Sequence, residues 1–229
     1  MTLLWIPLLS LLGSIISSRT GKLTRNQSTA LTLLMPVIAL IMTISLAPAV
    51  FSGRVIRETV SWIPMLGIDI ALRIDGLALL FVFMILAIGI LVIFYARYYL
   101  SSKDSMPKLY AYLMLFMTAM LGIVMSNNII QLWLFWELTS ISSFLLISYW
   151  WHKSEARRGA RMALTITGGG GLALLAGLLL LGHIVGSYNL DVILASKDII
   201  QAHDWYEITL ILVLLGAFTK SAQFPFHFW

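Results

Sequence analysis

Seven apolar stretches of 16 to 25 residues decide what this chain of 229 residues can fold into. The hydrocarbon layer of a bilayer is about 30 Å thick and a helix rises about 1.5 Å per residue, so a spanning helix needs roughly 20 mainly apolar residues. The candidates are Thr2–Ser17, Ala30–Phe51, Gly76–Tyr99, Leu109–Ser126, Asn128–Trp150, Met162–Gly186 and Glu207–Trp229. The sequence therefore predicts an all-α integral membrane protein with about seven transmembrane helices.

The composition leaves too little polar surface for a soluble domain. Apolar residues make up 60% of the chain and charged residues 11%, against about 45–50% and about 25% in ordinary soluble domains. A lipid bilayer is therefore the solvent that we expect for the apolar excess. The chain has no cysteine, which excludes disulfides and cysteine-ligated metals within it, and its histidine spacing suits no metal site. We predict no cofactor and no bound metal.

The charges of the connecting loops predict the orientation. The loops after the first, third and fifth spans are basic, with Arg19, Lys22 and Arg25, then Arg97, Lys103 and Lys108, then Lys153, Arg157, Arg158 and Arg161. The connection before the seventh span is acidic, and only the loop after the second span departs from the alternation. Basic loops are typically cytoplasmic, so we predict a multi-pass protein of the cell (inner) membrane with its N-terminus outside. The formal charge of +5 then reflects topology, and no nucleic-acid partner is expected.

Only two charges lie deep within a predicted span, Glu137 in the fifth and Lys220 in the seventh. Both spans run in the same direction, and the two residues lie at comparable depths. A charge at the bilayer centre costs roughly a few kcal/mol or more, so it faces the interior of a helix bundle and finds a partner. Opposite signs at similar depth predict that each is the other's partner. The pair serves either ion transport or structural locking of two helices, and we favour transport because a buried ion pair is weak evidence for stability.

Polar residues accompany both charges. Helical spacing places Ser140 on the same face as Glu137, and it places Gln223 and His227 at i+3 and i+7 from Lys220. A row of titratable and hydrogen-bonding groups is what a proton path needs. An interhelical polar seam explains the same row, and both interpretations stay open.

The seventh span contains Pro225, which has no N–H to donate and clashes with the carbonyl of Ser221. We expect this helix to be discontinuous at Pro225. Broken spans occur where the freed backbone is buried in protein or lines a wet cavity. A simple packing kink is the alternative.

Glycine and tryptophan predict how the helices pack. Four consecutive glycines, Gly168–Gly171, lie in the sixth span, and we favour close approach of a neighbouring helix over an unwound ion-binding segment. Five tryptophans are partly typical of the aromatic belts at membrane interfaces: Trp133, Trp136, Trp150, Trp151 and Trp229.

Four stretches carry a family resemblance: Arg73–Leu100, Met125–Trp150, Thr165–Gly177 and Gly216–Trp229. Together they resemble the antiporter-like membrane subunits shared by respiratory complex I and Mrp-type cation/proton antiporters. The FWE of the fifth span combined with K-S-A-Q-x-P-x-H in the seventh is far more specific than one buried lysine. The sequence is most similar to the large A subunit of Mrp antiporters, with subunit 5 of complex I next.

The resemblance implies a function for the two charges. In the family, the matching glutamate and lysine form a pair whose opening and closing gates proton movement, and the matching seventh helix is discontinuous. His227 matches a motif histidine with a supporting role. The expected protein is thus a secondary transporter subunit, not an enzyme, in a multi-subunit antiporter that exchanges Na⁺ or a similar monovalent cation for protons. A proton-pumping subunit of an NADH-quinone oxidoreductase and a non-transporting scaffold are the alternatives.

The resemblance also implies a division of the chain. Residues 1–72 form an N-terminal two-helix segment, and residues 73–229 form the first part of the proton-translocating module. Family members have about fourteen core helices in two inverted repeats, whereas this sequence ends with the seventh span. We therefore expect a truncated fragment or one piece of a split subunit, which on its own should not complete a transmembrane ion path.

Overall fold

The computed structural model describes residues 2–63 and 68–229. Five helices in this part of the chain are long and apolar enough to cross a membrane: α2 (Arg25–Phe51), α3 (Gly76–Tyr99), α4 (Met106–Met125), α5 (Ile129–Ile147) and α6 (Ser154–Val185). A shorter apolar helix, α1 (Trp5–Ser18), precedes them, and a short 3₁₀ turn (Thr20–Lys22) follows α1. Helices α7 (Leu190–Ala195), α8 (Lys197–Gln201) and α9 (Tyr206–Lys220) complete the order. The protein is a mostly helical, multi-pass membrane protein.

The connection between α2 and α3, which the sequence predicts as a loop, contains two β strands in its described residues. Strand β1 (Ile56–Ile63) pairs with strand β2 (Ile68–Ile74) in a two-stranded sheet. The β-branched residues Ile56, Thr59 and Val60 favour a strand. The connection after the second span therefore contains two strands, so the predicted all-α fold is corrected to a mostly helical one.

The chain divides into two compact units, and the first comprises Met1–Glu58 and Leu72–Met125. Within it, α1 packs on α2 and α4, and α3 packs on both α2 and α4. Hydroxyl pairs join the helices: Ser17 Oγ lies 2.8 Å from Thr32 Oγ1, and Thr29 Oγ1 lies 2.9 Å from Tyr110 Oη. Such hydrogen bonds are the usual means of joining helices in lipid, where apolar contact alone gives little preference for protein over solvent.

The second unit comprises Thr59–Ala71 and Ser126–Trp229 and holds every residue proposed for transport. Helix α6, of 32 residues, packs on α5 along one part of its surface and on α9 along another. The amide of Ala71 donates to Gln131 Oε1 at 2.9 Å, and the amide of Asn127 donates to the carbonyl of Ala71 at 2.8 Å. Strand β2 is thereby tied to the start of α5.

The predicted spans and the observed helices agree best in the middle of the chain. Helix α3 has the bounds that the apolar run predicts, Gly76–Tyr99. Helix α6 begins at Ser154, eight residues before the predicted span, because its first turns are charged and extend beyond the apolar run. Helices α1 and α9 have 14 and 15 residues and are shorter than the predicted spans with which they overlap. The number of membrane crossings therefore stays a prediction.

Helix α9 ends at Lys220, whereas the predicted span runs to Trp229. The amide of Ser221 still donates to Ala217 O at 2.9 Å, but Ala222 has a φ of 52° and leaves the helical conformation. The chain then folds back, and Trp229 Nε1 donates to the carbonyl of Thr219 at 2.9 Å. Consequently the helical face expected to continue from Lys220 through Gln223 and His227 is not formed.

Candidate functional site

The site is built on the middle of α5. Asn128 caps this helix, because its Oδ1 accepts from the amides of Ile130 at 2.9 Å and Gln131 at 3.2 Å. An N-cap side chain satisfies amides that the helix itself leaves free. The cap fixes where α5 begins and hence which residues share its faces. Trp136, Glu137 and Ser140 follow within little more than one turn of each other.

Lys220 reaches this turn from α9. Its Nζ donates a hydrogen bond to Ser140 Oγ at 2.9 Å. The same Nζ lies 5.6 Å from the centroid of the Trp136 ring, within the range of a cation–π interaction. The structure therefore brings Lys220 to the helix that carries Glu137, as the sequence predicts, but places its ammonium on Ser140 and Trp136.

Glu137 occupies the same turn in a different environment. Its Oε1 is buried and has no hydrogen-bond partner among the residues that the structure describes. No direct ion pair joins Glu137 to Lys220 in this described part of the chain. A buried carboxylate oxygen without a donor is costly, so this atom is ready to accept a proton, a water molecule or an ammonium.

The glycine run of α6 explains how closely the helices meet. A Cβ added to Gly171 would collide with Glu137 Oε1, and one added to Gly170 would collide with Thr219 Oγ1. Helix α6 is continuous from Ser154 to Val185, so the run is not unwound. The predicted close approach of neighbouring helices is confirmed at these two glycines. By contrast, a Cβ on Gly169 would meet no atom within 4 Å in the described residues.

Two tryptophans of α5 belong to the packed interior of the second unit. Trp133 and Trp136 pack against a cluster that includes Ile129 and Leu174. Trp133 Nε1 donates to the carbonyl of Gly171 at 2.8 Å, whereas Trp136 Nε1 is buried without a partner in the region that the structure covers. Both side chains are only partly buried, so their place in an interfacial belt stays a prediction. The proximity of Trp136 to Lys220 is the feature that the sequence does not predict.

The remaining predicted residues lie after the end of α9. Gln223, Pro225 and His227 are exposed, and the His227 ring stacks on Phe224 at 5.6 Å between centroids. Within residues 2–63 and 68–229, neither Gln223 nor His227 bonds to Lys220, and no group of three or more histidine, aspartate or glutamate side chains is arranged to hold a metal. The structure thus brings Ser140 to Lys220 and leaves the other three supporting residues apart from it.

Two families match this chain. The family described as "NADH:quinone oxidoreductase/Mrp antiporter, TM" matches residues 126–229, which contain the whole site. The family described as "NADH-Ubiquinone oxidoreductase (complex I), chain 5 N-terminus" matches residues 62–110.

Individual relatives agree with these matches. The chain is 56% identical over 193 residues to the A/B subunit of a probable K⁺/H⁺ antiporter from Rhizobium meliloti, which is 84% of this chain and 19% of that protein. It is 46% identical over 198 residues to the A subunit of a Na⁺/H⁺ antiporter from Alkalihalophilus pseudofirmus, which is 86% of this chain and 25% of that protein. The chain therefore spans about a fifth to a quarter of the length of these two relatives.

Solved structures share the fold. A chain of the Mrp complex from a Dietzia species superposes with a TM-score of 0.85 at 28% identity, over 99% of this chain and 24% of that one. A chain of the membrane-bound sulfane sulfur reductase, an archaeal respiratory complex, superposes with a TM-score of 0.83 at 19% identity, over 100% of this chain and 35% of that one. The latter likeness concerns the fold alone. The chain thus belongs to the antiporter-like membrane subunits that Mrp antiporters share with complex I, and within them it is similar to the A subunits of Mrp antiporters.

Proposed function

We propose that this chain forms part of the proton path of a multi-subunit monovalent cation/proton antiporter in the cell membrane. One observation carries the proposal: the Lys220 ammonium, at the end of α9, is bound to α5 at Ser140, one turn from Glu137. Two opposite charges at a helix interface in lipid are expensive to keep. Their presence is explained if their separation and recombination move a proton.

The geometry supports two positions for the ammonium. In the position described above, Lys220 donates to Ser140 at 2.9 Å. An ammonium has three donors, so others remain for the nearby carboxylate of Glu137. We propose a second position in which the ammonium pairs directly with this carboxylate. In that paired state the positive charge is stabilised, and separation from Glu137 favours release of a proton from Lys220.

The cation and the partners are part of the same proposal. The two relatives are named for antiport of K⁺ and of Na⁺ against protons, which supports a monovalent cation, and we take Na⁺ as the first candidate. Both relatives are named as parts of antiporters, and one solved neighbour is an Mrp complex, which supports other subunits as partners. The expected effect of Glu137 and Lys220 is on proton movement; we assign no side chain to the cation.

The architecture is completed by expectations from the sequence. We propose seven spans with the N-terminus outside. The seventh is discontinuous, with helix α9 ending at Lys220 and a non-helical segment that contains Pro225. We also propose supporting roles for Ser140, Gln223, Pro225 and His227. We also propose that residues 1–72 precede a translocation module that begins at residue 73. The basic loops after the first, third and fifth spans support this orientation.

A second candidate function is proton pumping within an NADH-quinone oxidoreductase. It is favoured by the match of residues 62–110 to the N-terminus of chain 5 of complex I. Antiport in everted membrane vesicles separates the two functions. A cation-driven proton flux that is insensitive to NADH supports the antiporter, and a flux that requires NADH oxidation supports the redox enzyme.

The test of the charge pair uses the same vesicles, with this chain incorporated in its complex. E137Q removes the titratable carboxylate and K220M removes the ammonium, so each deletes one of the two groups between which the proton moves. Each is expected to reduce the antiport rate by about tenfold or more per assembled complex. The matched controls are E207Q and K197Q, because both residues are exposed. Wild-type rates in E137Q would refute the transport role and favour the scaffold.

A further inference from the structure

We propose that Trp136 is a positioning residue, and that it forms with Ser140 a holding site for the Lys220 ammonium when this ammonium is apart from Glu137. The inference rests on the proposed function, since it concerns one of the two positions of Lys220. In this role the aromatic ring stabilises the ammonium just after it separates from Glu137, before Lys220 releases its proton.

The geometry of one helical turn carries the inference. Trp136 and Ser140 are four residues apart on α5, so their side chains lie on the same face. Lys220 Nζ contacts both of them, at 2.9 Å from Ser140 Oγ and 5.6 Å from the centroid of the Trp136 ring. Glu137 lies between them in sequence and points its Oε1 toward Gly171 of α6. A single turn therefore offers the ammonium two separate environments, one with a hydroxyl and a ring face and one with a carboxylate.

The ring face, and not the indole N–H, accounts for the position of Trp136. Its Nε1 is buried and has no acceptor in the described structure, although a tryptophan normally donates when it is buried. Trp133, three residues earlier, satisfies this rule by donating to Gly171 O at 2.8 Å. The Trp136 ring lies near an ammonium although its N–H makes no hydrogen bond there. Attraction between the cation and the ring best explains this position. This attraction is strongest where water is excluded.

The consequence is a bias on the charge pair. A hydroxyl alone stabilises a cation in lipid only weakly. Without the ring, Lys220 would therefore return to the carboxylate of Glu137. With the ring in place, the separated position competes with the paired one. Loss of the ring should shift Lys220 toward Glu137 and slow each transport cycle, because opening of the pair becomes harder.

Replacement of Trp136 by phenylalanine, tyrosine or leucine tests this inference in the assembled complex. W136L removes the ring face from the ammonium, so it should reduce the antiport rate in everted vesicles by about tenfold or more. W136F and W136Y retain a ring face and should retain most of the rate. Trp133 provides the matched series: its indole bonds to a backbone carbonyl instead of facing Lys220, so W133F and W133L should give equal rates per assembled complex.

Equal rates in W136L and W136F would overturn the inference. If W136L fails to assemble, fluorinated tryptophans at position 136 keep the shape of the ring and weaken its attraction for cations stepwise. The antiport rate should then fall with each added fluorine, and a constant rate would overturn the inference. Neither result bears on the transport role of Glu137 and Lys220. Only wild-type rates in E137Q or K220M would refute that role.

Discussion

Substitution of Gly171 by alanine tests whether the carboxylate of Glu137 must lie where the structure places it. The added Cβ would lie 2.8 Å from Glu137 Cδ and closer still to Oε1. Gly169 is two residues away on the same helix, and the Cβ of an alanine there would meet no described atom within 4 Å. The two substitutions are chemically identical, so they differ only in what the new methyl group contacts.

The difference in stability between G169A and G171A isolates the steric cost of the added methyl group. Alanine is favoured over glycine in a helix by about 1 kcal/mol, and this gain is common to G169A and G171A. Overpacking of a close contact costs typically about 1–3 kcal/mol, and only G171A incurs this cost. We therefore expect G171A to be less stable than G169A by about 1–3 kcal/mol. G169A should be as stable as the wild type or slightly more stable.

The overpacking cost of G171A can displace the Glu137 side chain instead of lowering the stability of the protein. A penalty of about 1–2 kcal/mol on the observed carboxylate position lowers its population about 5- to 30-fold. The antiport rate of G171A in everted vesicles should fall correspondingly, whereas G169A should transport like the wild type. Thermal unfolding of the purified complex gives the stability difference, and the vesicle assay gives the functional one.

The reasoning would be refuted by G171A and G169A that match each other in both measurements. Such a result would mean that the Glu137 carboxylate does not rest against Gly171, or that its position has no influence on transport. Reduced stability with an unchanged antiport rate would retain the packing and reject the functional role of the position.

Three further substitutions follow from single hydrogen bonds. S140A removes the acceptor of the Lys220 ammonium, a hydrogen bond to a charged group worth about 1.5–3 kcal/mol, so antiport in vesicles should fall while S140T retains most of it. N128A removes the cap of α5 and should destabilise the protein by about 0.5–2 kcal/mol in thermal unfolding, whereas N128S should lose less; equal losses would contradict the capping role. W229F removes the bond from the indole to Thr219 O, worth about 1 kcal/mol, and should speed hydrogen exchange at Ser221; unchanged exchange would mean that this bond does not hold the end of α9.

Long apolar runs predict most of the helices because lipid imposes a minimum length on them. Helix α3 has the predicted bounds, and α5 begins one residue after the predicted start. The two β strands escape prediction because β1 carries Arg57 and Glu58 within a short segment, where helix, strand and loop are hard to distinguish. The end of α9 at Lys220 escapes it because the apolar pattern continues further, while the turn at Ala222 depends on tertiary contacts such as the bond from Trp229 to Thr219.

The candidate site is predictable in its charges and not in its contacts. The cost of burying Glu137 and Lys220 in lipid singles them out from the sequence alone. Helical spacing also places Ser140 beside Glu137, and the structure bonds Lys220 to it. Spacing along one helix does not predict which oxygen of α5 accepts a hydrogen bond from Lys220 of α9. That depends on how α5 and α9 pack on α6. The proximity of the Trp136 ring to the ammonium follows from this packing and has no counterpart in the sequence pattern.

The length of α6 determines the depth of the site in the bilayer. Its 32 residues extend about 48 Å, well beyond the roughly 30 Å of hydrocarbon, so one end must enter the headgroup region. Arg161 is exposed and is the last arginine before the apolar part of the helix. An arginine anchored at the headgroups places Gly171, ten residues or about 15 Å further along, at the midplane. With Arg161 at the headgroups, we expect the carboxylate of Glu137, which packs on this glycine, to lie about equally far from both membrane surfaces. Insertion of one helical turn between Arg161 and Gly171 should then shift it toward one surface.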